Sequence, residues 1–341
     1  MPENSAPKDR IHWFARLEHR MHVWRESRAR RRGRSASVLP FPAYGGRGWV
    51  RVLGRVLIVP PRRRAADGTY ESVRGWRSFV GIPVGFATVR VQVGDRSFEL
   101  TADRGGVVDT RIDVDLPPGW QTFTMSVEDQ EPVEASVFVV DDSIDFGVVC
   151  DIDDTVMVTA LPRPFIAAWN SFVVDEHARI PVPGMAVLLE HLVSQHPGAP
   201  VVYLSTGAWN VAPTLSRFMT RHLFPQGSML LTDWGPTHDR WFRSGREHKL
   251  TNLDRLAAEF PQVKWLLIGD DGQHDEAIYG EFMREHPDSV AGVAIRRLST
   301  GEAILAGGRT TGDHSDGTAP WVADADGAGL RERLTEAGIL R

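Results

Sequence analysis

Three carboxylates stand in the run Asp151-Ile152-Asp153-Asp154-Thr155, directly behind the apolar stretch Phe146–Cys150. A second acidic group, Gly269-Asp270-Asp271 and then Asp275, follows the apolar stretch Val263–Ile268. Like charges held this close raise one another's pKa unless a cation neutralises them. A hard divalent ion with oxygen ligands is the natural solution, so the two groups can clamp one Mg2+ between them. Such an ion suits phosphoryl transfer, where screening charge on the transferred group is the main need. A carboxylate can attack phosphorus and form an aspartyl phosphate, and a second can protonate the leaving oxygen and then deprotonate water. Asp151 and Asp153 have that spacing, since residues i and i+2 of an extended segment point the same way.

This chemistry also needs a hydroxyl and a cation for the phosphoryl oxygens. Ser205 and Thr206 follow the apolar run Val201–Leu204, and Lys249 starts the helix expected before the Val263 strand, whose apolar face is Leu250, Leu253, Leu256, Ala257 and Phe260. Each piece alone has a plainer explanation. Acidic runs cap helices, as Asp270 with Asp275 could; Ser-Thr-Gly is a common turn; most lysines are solvated. The order of the pieces, each at the end of an apolar run, favours a joint catalytic role.

The elements that must position them read clearly from 146 to 300. Short apolar runs (Phe146–Cys150, Val201–Leu204, Met229–Leu231, Val263–Ile268, Val290–Ile295) alternate with helical patterns such as Val187, Leu188, Leu192 and Val193. Continuous apolar strands covered on both faces imply an α/β domain with a doubly wound parallel sheet. Working residues in such sheets lie just past the carboxyl ends of the strands. Residues 49–145 read instead as a small all-β sandwich domain, with alternating runs at Val50–Ile58, Ala87–Val93, Arg111–Asp115, Thr122–Val127 and Glu134–Val140. No catalytic grouping is visible there. Residues 1–48 form a basic leader in which Ile11, Phe14, Leu17, Met21 and Trp24 recur at helical spacing, interleaved with Arg16, Arg20 and Arg25. A helix docked on the protein and a membrane-surface helix fit this pattern equally. Residues 301–341 read as a linker, Gly307 to Gly317, and a helix, Leu330 to Leu340.

The bulk numbers bound these readings. The chain of 341 residues suits two domains with tails, and 42% hydrophobic residues suffice for real cores. The net charge of -5 is mild, although ten basic and three acidic residues fall between Lys8 and Arg34. The single cysteine, Cys150, excludes an intrachain disulfide. No apolar stretch has transmembrane length, and the basic N-terminus lacks a signal-peptide core. A cytoplasmic protein, soluble or peripheral at the membrane, is the expectation.

Asp151, Asp153 and Thr155, then Ser205, then Lys249, then Gly269-Asp270-x-x-x-x-Asp275 resemble the four motifs of the haloacid-dehalogenase superfamily. Longer stretches, Phe146-Gly-Val-Val-Cys-Asp-Ile-Asp-Asp-Thr-Val156, Arg179-Ile-Pro-Val-Pro-Gly-Met185, Leu230-Leu-Thr-Asp-Trp-Gly235 and Leu267-Ile-Gly-Asp-Asp-Gly-Gln-His-Asp275, are similar to the actin-patch-associated phosphatidate phosphatase family of fungi and bacteria. Ser205-Thr-Gly-Ala-Trp209 departs from the Ser-x-Ser-Pro-Trp pattern associated with that family. The resemblance implies a haloacid-dehalogenase-like fold, and the short spans from Thr155 to Pro183 and from Ser205 to Lys249 leave room for only a minimal cap. It implies Asp151, Asp153, Ser205 and Lys249 as catalytic residues. The metal ligands would be Asp151, Asp153 through its backbone carbonyl, and Asp270, with Thr155, Thr206, Asp271 and Asp275 in support. The implied reaction is Mg2+-dependent hydrolysis of a phosphomonoester, phosphatidate or a related lipid phosphate, and the basic leader makes an anionic membrane surface a candidate partner. A phosphatase for protein or soluble phosphomonoesters, and a non-catalytic binding module on the same fold, are the alternatives. No nucleic-acid partner is expected, because the β-rich region shows no basic-aromatic surface pattern.

Overall fold

The computed structural model describes residues 27–28, 30–59, 81–158, 180–232, 238–272, 274–305 and 319–341. The expected leader helix and the linker Gly307–Gly317 lie outside the described residues. The chain forms two compact units: Met1–Pro40 with Leu53–Asp109 and Thr124–Glu134, and Phe41–Val52 with Thr110–Phe123 and Ala135–Arg341.

Between Ser35 and Val139 the elements named among the described residues are strands: β1 (Ser35–Pro40), β2 (Ala43–Gly46), β3 (Trp49–Val59), β4 (Ile82–Pro83), β5 (Thr88–Val93), β6 (Arg96–Thr101), β7 (Val107–Ile112), β8 (Gly119–Val127) and β9 (Val133–Val139). The expected boundary at residue 48 therefore falls after two strands. In the first unit β1 pairs antiparallel with β3 from Ser35↔Val59 to Pro40↔Gly54. There β5 pairs antiparallel with β6 and with β8. Period-two burial explains β5, where Val89, Val91 and Val93 are buried and Thr88 and Arg90 exposed. The hairpin to β6 turns at Gly94-Asp95, and Gly94 takes the φ of 55° that a tight hairpin turn demands. β6 buries Leu100 alone, which is why its sequence shows little alternation.

The second unit contains a six-stranded sheet in the order β14-β13-β10-β15-β16-β17. Its strands are β10 (Phe146–Cys150), β13 (Val201–Ala208), β14 (Ser228–Thr232), β15 (Lys264–Asp270), β16 (Val290–Arg296) and β17 (Trp321–Asp324), and every neighbouring pair is parallel. A two-stranded antiparallel ribbon, β11 (Met157–Val158) with β12 (Ile180–Pro181), follows β10. The helices are α1 (Met185–Gln195), α2 (Ala212–Arg221), α3 (His238–Glu259), α4 (Asp275–Glu285), α5 (Thr300–Leu305) and α6 (Gly327–Glu336). α3 packs with α4, and α1 packs with α6. The strands β10, β14 and β15 are buried almost throughout, as parallel strands covered by helices must be.

Two segments outside the central run belong to this unit. Phe41 stacks on Trp209 with ring centroids 4.6 Å apart. Tyr44 Oη donates to Glu259 at 2.8 Å, Arg51 donates to the same carboxylate at 2.8 Å, and Tyr44 and Trp49 pack on Phe260. At the other end, β17 joins the sheet edge and α6 buries Leu330 and Leu334 completely. There the backbones of Gly184 and Gly327 touch so closely that a Cβ on Gly327 would lie 2.2 Å from the Gly184 carbonyl carbon.

Candidate active site

The parallel register builds the site. β10 pairs on one side with β13 (Cys150↔Tyr203) and on the other with β15 (Cys150↔Ile268). Asp151, Ser205 and Asp270 thus emerge at the same edge, one or two residues past aligned positions. The strand order places β10 between neighbours reached in opposite directions along the sheet, and a crevice beyond the carboxyl ends at such a point is where α/β sheets bind ligands. The Asp151 backbone N–H still bonds Ile268 at 2.8 Å, so the first acidic residue is held as an extension of the strand. The chain then turns sharply: the Ile152 carbonyl accepts from both Val156 and Met157, and Asp154 adopts φ 58°.

The side chains converge. Lys249 Nζ donates to Asp151 Oδ1 at 2.6 Å and to Asp275 Oδ1 at 2.5 Å, with all three side chains buried. Ser205 Oγ donates to Asp153 Oδ2 at 3.0 Å and accepts from the Gly207 backbone at 2.9 Å. Asp270 Oδ1 accepts from Gly272 N at 2.7 Å. Gly269 leaves room for this packing, since a Cβ there would meet Asp275 Oδ2 at 2.6 Å and the Tyr279 ring at 2.8 Å. Asp151, Asp270 and Asp275 each offer an oxygen, and these oxygens lie within 4.8 Å of one another.

Burial pushes the Asp151 carboxyl well above the ordinary aspartate range; Lys249 opposes this, and Asp275 and Asp153 add to it. Burial likewise raises Asp270, with Asp275 and Asp151 adding. On Lys249 burial acts downward, but Asp151 and Asp275 outweigh it and hold the ammonium above the usual lysine range. Asp151, Asp153, Asp154, Asp270, Asp271 and Asp275 are all buried, and the buried Lys249 ammonium bonds two of them, Asp151 and Asp275. The Oδ2 atoms of Asp151 and Asp275 are buried and accept no hydrogen bond. Excess buried carboxylate with orphaned oxygens is the donor chemistry a hard divalent cation requires, so these residues fit such an ion.

Of the residues read from the sequence, the structure brings Asp151, Asp153, Ser205, Lys249, Asp270 and Asp275 into one network. Thr155 Oγ1 is buried without a hydrogen-bond partner, and Thr206 lies in the adjoining turn, its carbonyl accepting from Thr232. Asp271 is directed elsewhere, its Oδ1 accepting from Leu298 N at 2.8 Å. Asp154, counted in the acidic run but given no role from the sequence, is buried too, and Arg296 carries no mark among the sequence motifs. A charged residue closing the apolar run Val290–Ile295 was the signal for the latter. Cys150 is a fully buried core residue whose thiol burial pushes up. A further group, Asp254, Glu285 and His286, lies at the surface of α3 and α4 and contains an Asp254–His286 contact of 3.2 Å.

Residues 146–297 match the family model described as phosphatidate phosphatase APP1, catalytic domain. This part of the chain therefore carries a phosphatase-type catalytic domain, and it contains all the acidic residues of the network. The phosphatidate phosphatase APP1 of Saccharomyces cerevisiae is 23% identical over 156 residues, which cover 45% of this chain and 26% of that protein. The uncharacterized protein C29B5.04c of Schizosaccharomyces pombe is 29% identical over 99 residues, covering 29% of this chain and 16% of that protein. The chain thus spans about a quarter or less of the length of these curated relatives. Among solved structures, the Pnkp1/Rnl/Hen1 complex aligns at 18% identity over 42% of this chain and 44% of that chain, with a TM-score of 0.30. The HAD domain of the effector protein Lem4 from Legionella pneumophila aligns at 14% identity over 45% of this chain and 86% of that chain, also with a TM-score of 0.30.

Proposed function

We propose that this chain is a Mg2+-dependent phosphomonoester hydrolase of the haloacid-dehalogenase type that works through an aspartyl phosphate on Asp151 and acts on phosphatidate or a related lipid phosphate. The observation that carries this reading is the Lys249 bridge between Asp151 and Asp275, beside Asp270, at the carboxyl edge of a parallel sheet. The strand order around β10 supports a doubly wound sheet, and the match over 146–297 supports the reaction class. The strands that precede β10 support a β-rich region with a structural or surface-presenting role.

Asp151 is the nucleophile in this reading. Lys249 holds one of its oxygens and fixes the carboxylate's direction, leaving Oδ2 without a competing hydrogen bond. Asp153 protonates the leaving oxygen and then takes a proton from the attacking water, while the Ser205 hydroxyl orients it. Ser205 and Lys249 also supply the hydroxyl and the positive charge that phosphoryl oxygens need. Asp151, the Asp153 backbone carbonyl and Asp270 would hold the divalent cation, with Asp275 orienting Lys249. When bound, that ion supplies charge screening for the transferred phosphoryl group.

Rapid quench with labelled substrate should trap an acid-stable, hydroxylamine-sensitive phosphoryl group on the wild-type enzyme and none on Asp151→Asn. That substitution should lower kcat by at least about 1000-fold, as loss of a nucleophile does. Normal turnover by Asp151→Asn, or full activity in excess EDTA, sinks the mechanism. A panel of phosphatidate, lysophosphatidate and soluble phosphomonoesters tests the substrate. Deleting residues 1–34 should weaken binding to anionic liposomes and activity on bilayer phosphatidate, because a polybasic amphipathic segment gains from both charge and apolar insertion. Activity on a soluble phosphomonoester should survive that deletion. An enzyme that ignores phosphatidate yet hydrolyses soluble phosphomonoesters loses the lipid assignment and keeps the chemistry.

A further inference from the structure

Arg296 closes β16, and its side chain is 6% exposed. Its guanidinium is committed in three directions. Nη1 donates to the Asp154 carbonyl at 2.7 Å, Nη2 to Glu302 Oε1 at 2.7 Å, and Nε to the Ala325 carbonyl at 3.2 Å. Its own carbonyl accepts from Asp271 N at 3.0 Å, and Leu298, two residues on, donates to the Asp271 side chain. One short stretch of chain therefore grips both acidic loops: the loop after β10 through a side chain, and the loop after β15 through the backbone.

The grip falls where the first loop is strained. Asp154 has φ 58°, a left-handed conformation that costs a residue with a Cβ about 1–2 kcal/mol. It is also the residue that follows Asp153 and sits three past Asp151. A guanidinium bonded to the Asp154 carbonyl orients the peptide leaving that strained position. A lysine at 296 would carry the charge but could not present three donors in a fixed plane. Burying a cation is itself costly and is weak grounds for a purely stabilising role.

We propose that Arg296 is a positioning residue that sets the spacing between the Asp151 loop and the Asp270 loop, and through it the affinity for the divalent cation. The inference rests on the cation-dependent reading above. A small ion that demands near-ideal octahedral geometry is sensitive to such spacing. The Glu302 carboxylate and the Ala325 carbonyl hold the guanidinium through its other two nitrogens.

The test is calorimetric titration of Mg2+ into the full chain after EDTA stripping, with melting in EDTA and in Mg2+ for each protein. Arg296→Gln should weaken Mg2+ binding by about 10- to 100-fold, the range found when partners that orient metal ligands are removed. Arg296→Lys, which keeps a donor for Asp154, should weaken it less, and Glu302→Gln should stay within about two-fold because the Asp154 bond remains. If Arg296→Gln does not fold in EDTA, Arg296→Lys against Glu302→Gln decides: weaker Mg2+ binding in the lysine variant alone supports the proposal. Folded Arg296 variants that bind Mg2+ as the wild type does overturn it, as does a Glu302→Gln loss equal to that of Arg296→Gln. A wild-type protein that takes up no Mg2+ removes the underlying cation reading, and the wild-type titration shows that separately from any variant.

Discussion

Asp270 and Asp271 are adjacent in the chain and buried alike, yet they face different tasks. Asp270 shares the cluster with Asp151 and Asp275, whereas Asp271 Oδ1 ties down the Leu298 backbone. Asp270→Ala should therefore reduce Mg2+ affinity by at least about 10-fold, given that even outer partners are worth that much. Asp271→Ala should leave affinity nearly intact and cost about 1–3 kcal/mol of stability, the penalty for stranding a buried N–H. Titration calorimetry and urea unfolding of the two variants separate the effects. Equal loss of Mg2+ affinity in both would contradict the division of roles. Lys249 shows the same logic in reverse, since a buried ammonium persists because two carboxylates hold it.

At the scale of elements, the strand ends concentrate buried acid, and this gives a pH dependence with a definite sign. Burial holds the Asp151 and Asp270 carboxyls above their ordinary value of 3.8. A carboxyl with a raised folded-state pKa binds its proton more tightly in the folded chain than in the unfolded one. Stability then falls as pH rises from 3.8 through the raised values. A bound cation favours the ionised carboxylates and offsets that loss. In EDTA the contribution of these two carboxyls to stability should decline as pH rises above 3.8, and the increment in melting temperature added by Mg2+ should grow over the same range. An increment independent of pH would contradict this picture. The loop after β13 depends on a different element: Phe41, 3% exposed, stacks on Trp209 four residues past Ser205. Phe41→Ala should cost about 3–5 kcal/mol by the usual penalty for emptying a buried aromatic site, measured by urea unfolding. A loss below about 1 kcal/mol would mean that the stack contributes little beyond surface packing.

At the scale of the whole molecule, the matched stretch 146–297 is smaller than the compact unit that contains it. That unit also takes in Phe41–Val52 and the C-terminal β17 and α6. Without them Trp209, Phe260 and the faces that meet Leu330 and Leu334 lose their cover. A fragment of residues 146–297 should accordingly bind a hydrophobic dye and melt without a sharp transition, as loosely packed states do. Circular dichroism and dye fluorescence check this; a cooperative melt matching that of the full chain would show that the flanking segments are dispensable.

The acidic runs, the hydroxyl pair after Val201–Leu204 and the apolar strands of the sheet were legible in the chain itself. They are local patterns: contiguous apolar runs, an i, i+2 carboxylate pair and a helical stripe before Phe260. β6 and β17 were not legible, because β6 buries one residue and all four residues of β17 are only partly buried. The assembly of the site needed the tertiary structure. Lys249 meets Asp151 across 98 positions, Tyr44 meets Glu259 across 215, and Arg296 meets Asp154 across 142. Sheet register decides which strand ends coincide, and that register is set by packing over the whole unit. Local patterns therefore named the carboxylates, hydroxyl and lysine that gather at the strand ends, while residues that hold those segments in place, Arg296 and Phe41 among them, became visible only where distant segments meet.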